Sequence, residues 1–192
     1  MGEARETVIG RREGWRGSFL RVRVDEVRLP SGRESVREYV DHPGAVAVLP
    51  VTADGEILLI RQYRAAIGRT ILEIPAGTRE AGEDPAETAR RELAEETAYA
   101  PGTLTEIARF YSSPGYTNEQ VILYAAEGCQ PIERVAADEE TISLVRVPMA
   151  DLPRLLTDPN HLIEDAQALV AALWLMNRSV PRAEGADRAK RG

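Results

Sequence analysis

The chain is poor in cysteine, its basic residues are outnumbered by acidic ones, and it has no long apolar run. Cys129 is its only cysteine, so no disulfide can form within the chain, and a reduced, intracellular compartment is the expectation. The thiol reads as a small buried hydrophobe or an ordinary surface group. A formal net charge of −7, with no basic stripe to offset it, argues against a nucleic-acid backbone as partner. No apolar stretch is long enough to span a bilayer. The N-terminus is polar and lacks the apolar core of a signal peptide. The expected protein is soluble and cytoplasmic, with neither nucleic acid nor membrane as partner. Its 192 residues suffice for one domain with a sizeable core plus a small extension, and no internal repeat is visible.

Against this background one stretch is rich in charge of a single sign. Gly77 to Tyr99 reads GTREAGEDPAETARRELAEETAY. Asp84 followed by Pro85 marks a helix start, a capping side chain and then the residue tolerated at the first helical position. Glu87 adds an acid in the first turn, where the helix dipole favours it. The helix should run from Pro85 to about Thr97, with Ala86, Ala89 and Leu93 on one face. Glu92 and Glu96, spaced i and i+4, then stand side by side, with Glu95 next to them. Clustered carboxylates repel, and more strongly where partly buried. A hard divalent cation, Mg²⁺ or Mn²⁺, suits such a cluster of oxygens.

Around this helix the chain reads as strands. Residues 1–14 are polar and expected to be loosely ordered. Phe19–Leu29 alternates, a Pro30-Ser31-Gly32 turn follows, and Val36–Val40 returns. Such a hairpin cannot stand alone in water, so it must pack on the main domain or on a second subunit. Ala45–Val51 is a nearly continuous apolar strand, joined to Glu56–Tyr63 by an Asp54-Gly55 turn signal. Thr70–Pro75 leads into Ala76-Gly77. Beyond the helix lie strands at Leu104–Phe110, Val121–Ala126 and Thr141–Val147, then helices at Met149–Leu156 and Glu164–Asn177. This order predicts an α/β fold with a mixed sheet covered on both faces. Residues 1–44 form an N-terminal β-hairpin extension in this reading, 45–178 the main domain, and 179–192 a charged, disordered tail.

The spacing of Gly77, Glu83, Arg91, Glu92, Leu93, Glu95 and Glu96 resembles the Nudix box, G-x5-E-x7-R-E-U-x-E-E-x-G-U with U apolar. The chain departs from it at Ala98, where the box has a glycine that ends the helix in a left-handed turn, and at Tyr99. The resemblance implies a Nudix α/β/α sandwich and hydrolysis of a diphosphate linked to a second moiety. Four further stretches resemble the ADP-ribose pyrophosphatase subfamily: Gln62-Tyr63-Arg64, Leu72-Glu73-Ile74-Pro75-Ala76-Gly77, Ser113-Pro114-Gly115-Tyr116-Thr117-Asn118-Glu119, and Ala137-Asp138-Glu139-Glu140-Thr141-Ile142. Each has an ordinary reading as a turn, strand end or solvated surface; together, around an intact box, they point to one substrate class.

By that resemblance, ADP-ribose is hydrolysed to AMP and ribose 5-phosphate. Glu92, Glu96, Glu140 and the Ala76 carbonyl would hold two or three Mg²⁺ or Mn²⁺ ions. Glu95 would serve another ion or hold the site in place, and Asp138 or Glu139 would be the base. Arg64, Glu73, Pro114 and Glu119 would lie on the substrate side, Glu119 toward ribose or metal. Gly77, Glu83 and Arg91 would support the site, Arg91 by pairing with its carboxylates. In the subfamily the hairpin is exchanged in a homodimer, so Arg37 and an aromatic, Trp15 or Phe19, would reach the partner's site. A nucleotide-sugar hydrolase shares these features. NADH is disfavoured because no zinc-type cysteine cluster is present, and a non-catalytic ADP-ribose sensor because every box glutamate is kept.

Overall fold

The computed structural model of the chain describes residues 5–133, 142–157 and 163–179. Two sheets account for its strands. β1 (Thr7–Arg16), β2 (Arg21–Arg28) and β3 (Glu34–Asp41) form a three-stranded antiparallel sheet in chain order. The remaining strands are β4 (Ala45–Thr52), β5 (Glu56–Arg64), β6 (Arg69–Glu73), β7 (Ala76–Thr78), β8 (Tyr99–Ala100), β9 (Thr103–Tyr111), β10 (Gln120–Pro131) and β11 (Ile142–Pro148). They make one eight-stranded sheet whose central path runs β11-β5-β4-β10-β8. β4 and β10 are parallel, with Val121 opposite Ala45, and the other strand pairings of this sheet, among the described residues, are antiparallel.

The apolar run of β4 is explained by burial on both faces. Ala45, Ala47 and Leu49 point one way, into a core with Ile57, Leu59, Val121 and Leu123. Val46 and Val48 point the other way, to Leu58, Ile122 and Tyr124. This period of two, repeated in β5 and β10, makes two cores from three strands. The first is closed by α2 (Leu152–Thr157) and α3 (Ala166–Ser179), through Leu152, Ala168, Ala171, Ala172 and Leu175. The second is closed by α1 (Pro85–Thr97), through Ala89 and Leu93. The layers are therefore helix, sheet, helix. Cys129 belongs to the second core; burial pushes its thiol up to about 11, which leaves it neutral and inert at physiological pH.

Residues 7–14, expected to be loosely ordered, instead belong to the strand Thr7–Arg16, paired with β2 from Thr7 opposite Arg28 to Arg16 opposite Arg21. The extension is thus a three-stranded sheet. Every residue of β1 except Gly10 is exposed, so no buried alternation exists for a sequence pattern to reveal. Main-chain pairing holds the strand, aided by a two-bonded ion pair from Arg11 to the buried Asp25 at 2.9 and 3.1 Å. Two other differences are small. β8 was not anticipated, and a 3-10 turn at Met149–Asp151 precedes α2. No helix among the described residues is long and apolar enough to cross a membrane.

α1 has the bounds its cap dictates. The Asp84 carboxylate accepts the Ala86 N–H at 2.8 Å, and Pro85 follows. At the other end the left-handed turn of the box survives without its glycine. Ala98 has φ 59° and ψ 38°, and its N–H donates to the Ala94 carbonyl at 3.0 Å. An L-residue there is strained by about 1 kcal/mol. Ala98→Gly should therefore raise the unfolding free energy by roughly 0.5–1 kcal/mol, the relief exceeding the added chain entropy. Equilibrium denaturation checks this; a loss of stability would contradict it.

Candidate active site

β7 carries the site's floor. Its pairing with β4 sets Ala76 opposite Ala47 and Gly77 opposite Val46, and α1 packs against both strands. Gly77 matters here for its missing side chain: a Cβ would stand 2.0 Å from the Glu92 carboxyl carbon. The carboxylate of Glu92 thus lies directly on the β7 backbone, and the residue is only 9% exposed. Glu96, one turn on, accepts the Ala76 N–H at 3.0 Å. Glu96 thus bonds α1 to β7, and Glu92, one turn back, packs on the same strand.

Arg91 joins the rest of the group. Its Nε and Nη2 donate to Glu83 at 3.1 and 3.2 Å, and its Nη1 donates to Glu92 at 2.7 Å and Glu95 at 3.3 Å. The Arg91 bonds hold the Glu83 carboxyl down at about 2, and that pairing in turn raises Arg91. Glu92 moves the other way. Burial pushes its carboxyl up despite the neighbouring guanidinium, and the nearby Glu95 and Glu83 add to the rise. Among the described residues no three His, Cys, Asp or Glu side chains close on a metal-sized point. They are gathered on Arg91 and on the Ala76 amide instead.

A second group lies where β5 and β6 end. Arg64 donates from Nε to both Glu73 oxygens at 3.0 Å, and its two Nη groups have no hydrogen bond among the described residues. Glu73, 5% exposed, is raised by burial. It sits beneath the arginine and fixes where it points. Asp165, which the sequence reading did not single out, accepts the Ala168 N–H at 2.8 Å at the start of α3. Its carboxyl is raised by burial and feels both Arg64 and Glu119. Only its position just before the last helix could have flagged it, as a cap.

Pro114 lies in a turn in which Tyr116 and Thr117 donate to the Ser113 carbonyl, both at 3.1 Å. The loop is stitched to the end of β3 by Val40 N–H to Tyr116 O at 2.8 Å and Asn118 N–H to Val40 O at 3.3 Å. Glu119 ends the loop. Trp15 and Arg37 stay within the N-terminal sheet: the Trp15 ring lies over Gly17, and Arg37 binds Glu6, Ser35 and the Val36 carbonyl. No contact among the described residues joins them to the α1 carboxylates. Asp138, Glu139 and Glu140 lie outside the described residues.

The NUDIX domain family model matches residues 41–166. The chain belongs to the Nudix family. It is 38% identical over 186 residues to an ADP-ribose pyrophosphatase of Bacillus subtilis (strain 168), covering 96% of this chain and all of that one. It is 37% identical over 161 residues to a methanol dehydrogenase activator of Bacillus methanolicus, covering 83% and 86% of the two chains. The fold matches a crystal structure of an ADP compounds hydrolase with a TM-score of 0.81, over 93% of this chain and 98% of that one, at 24% identity; that likeness concerns the fold alone.

Nudix hydrolases use divalent metal ions, and the residues present fit one. The donors on α1 and β7 are all hard oxygens. The cradle at Gly77 keeps the Glu92 carboxylate against β7, where it is buried and paired with Arg91. Gly77→Ala would fill the cradle. Because the atom displaced is the far end of a flexible side chain, stability should change by less than about 1 kcal/mol, whereas moving a carboxylate by an ångström or more should lower hydrolysis roughly 10²-fold. Paired activity and denaturation measurements check this. Equal activity would show that the position of Glu92 is unimportant.

Proposed function

We propose that this Nudix hydrolase cleaves the diphosphate of ADP-ribose, with Mg²⁺ or Mn²⁺, to AMP and ribose 5-phosphate. The observation that carries the reading is the Arg64 group. A guanidinium pinned through Nε by a buried carboxylate presents two Nη groups that have no hydrogen bond among the described residues, a geometry suited to a phosphate. Three residues beyond Glu73, the same stretch of chain reaches Ala76 and the Glu96 carboxylate. The ADP-ribose pyrophosphatase stretches around Gln62–Arg64 and Ser113–Glu119, and the likeness to the Bacillus subtilis enzyme, support the substrate.

In this reading Glu92, Glu96 and the Ala76 carbonyl, with Glu140, hold two or three ions. Bound there, the cations supply the positive charge that lets a dianionic diphosphate approach a carboxylate cluster. Arg91, anchored by Glu83, keeps Glu92 and Glu95 aligned. Arg64 grips a phosphate, and Glu119, on the Pro114 loop, faces the ribose side. Asp138 or Glu139 takes a proton from the water that attacks phosphorus, as the bond from phosphorus to the bridging oxygen breaks. A single buried thiol suits a cytoplasmic location.

The active form is a homodimer in the same reading. Val8, Ile9, Trp15, Phe19 and Val36 expose apolar surface on the N-terminal sheet. Residues 5–41 carry nine arginines against seven carboxylates in a chain of net charge −7, so that sheet complements the acidic domain of a second copy. Arg37 and Trp15 or Phe19 would then complete the partner's adenosine pocket.

A panel of ADP-ribose, ADP-glucose, GDP-mannose, NADH and dGTP tests the proposal. ADP-ribose should give AMP with the highest kcat/KM, and dilution to a species shown by sedimentation to be monomeric should raise KM sharply. A nucleotide sugar in first place would overturn the substrate, and unchanged kinetics in the monomer would overturn the shared pocket.

A further inference from the structure

His42 joins the two sheets, and nothing in the hydrolytic chemistry above uses it. It follows β3 directly, and its ring is fixed on several sides. Nδ1 accepts the Gly44 N–H at 3.1 Å. The ring meets Phe19 edge to face, with centroids 5.3 Å apart and an interplanar angle of 84°. The main-chain N–H of His42 donates to the Asn118 side-chain oxygen at 2.8 Å, and the Asn118 amide donates to Asp41 at 2.8 Å. The side chain is only 11% exposed, so the ring has no freedom to turn away. Gly44 presents its N–H from a left-handed conformation, φ +96°, with the Gln120 carbonyl 3.2 Å from where a Cβ would be.

These contacts assign the tautomer. A nitrogen that accepts a hydrogen bond carries no proton, so in the neutral ring the proton is on Nε2. Nε2 faces Glu119 Oε1 at 3.7 Å. That separation is too long for a hydrogen bond in the free enzyme; a closure of ~0.7 Å, or one bridging water, completes it. Catalytic contacts of this kind commonly tighten only when substrate is bound. The same residues 40–42 also hold the main chain of the loop that carries Glu119.

We propose that His42 is a positioning residue: its Nε2–H orients the Glu119 carboxylate toward the substrate, so the end of the N-terminal sheet sets the geometry of the Pro114 loop. The proposal rests on the reading of Glu119 as a substrate-side group. Its consequence is that the two nitrogens of His42 do different work. Asparagine reproduces the Nδ1 acceptor for Gly44 without a donor at Nε2, and glutamine reproduces the Nε2 donor.

The experiment compares wild type, His42→Asn, His42→Gln, Glu119→Gln and the double variant His42→Asn/Glu119→Gln, each with ADP-ribose and Mg²⁺ and each with a melting curve. His42→Asn should melt close to wild type yet lose about tenfold in kcat/KM, chiefly through KM. His42→Gln should recover most of that loss. In the Glu119→Gln background the His42→Asn change should cost clearly less than in wild type, because the carboxylate that Nε2–H orients has become a weaker, neutral acceptor. Full additivity of the two changes, or equal impairment by Asn and Gln, would overturn the positioning role while leaving Glu119 in place. Wild-type kinetics for Glu119→Gln alone would overturn the reading of Glu119, and the role of His42 with it.

Discussion

Four glutamates brought to one edge of one helix would repel each other, and the contact that contains this is the Arg91 guanidinium. At an effective dielectric of 20, two carboxylates about 5 Å apart oppose each other by roughly 3 kcal/mol. Arg91 meets Glu83, Glu92 and Glu95 at once, and the fourth, Glu96, is held by the Ala76 amide. The arrangement keeps the carboxylates close without collapsing them onto one point. Burial still raises Glu92, because desolvation outweighs the attraction of Arg91 there. The rest of the structure serves this edge: β4 aligns β7, β7 offers the bare backbone of Gly77, and the caps of α1 fix which turn faces it.

The N-terminal sheet enters through a different logic. It shares neither of the two cores, and its link to the main sheet is polar, made by Val40, Asp41 and His42 against Tyr116 and Asn118. Such a joint transmits position rather than bulk stability. It sets the loop that runs from Ser113 to Glu119, and it presents an arginine-rich surface outward. In the proposed function the substrate side of the site is built from the ends of β3, β5 and β6, and the metal side from α1 and β7.

Much of this was legible in the residues, and the exceptions have physical causes. The start of α1 could be placed at Pro85 because Asp84 and Pro85 are a cap with one reading. β4, β5 and β10 were visible because strands buried on both faces are apolar throughout. β1 was invisible because it buries almost nothing; its order comes from main-chain pairing, which leaves no mark in side-chain pattern. The left-handed turn at Ala98 survives because the helix must still reverse into β8, and tertiary context outweighs a penalty of about 1 kcal/mol. Glu73 and Arg64 both read as substrate-side residues, and no spacing shows that the Glu73 carboxylate accepts the Arg64 Nε–H. Asp165 and His42 lie far along the chain from the groups they face, and no spacing rule connects them.

The most direct test of the account is a Mn²⁺ titration followed by electron paramagnetic resonance, without substrate, on wild type, Glu92→Gln and Glu96→Gln. If α1 and β7 form the metal site, wild type binds Mn²⁺ saturably, and each variant weakens binding at least about tenfold while keeping its circular dichroism. Unchanged binding in both folded variants would mean that the ions are held elsewhere and that the cluster on Arg91 is a salt-bridged helix face.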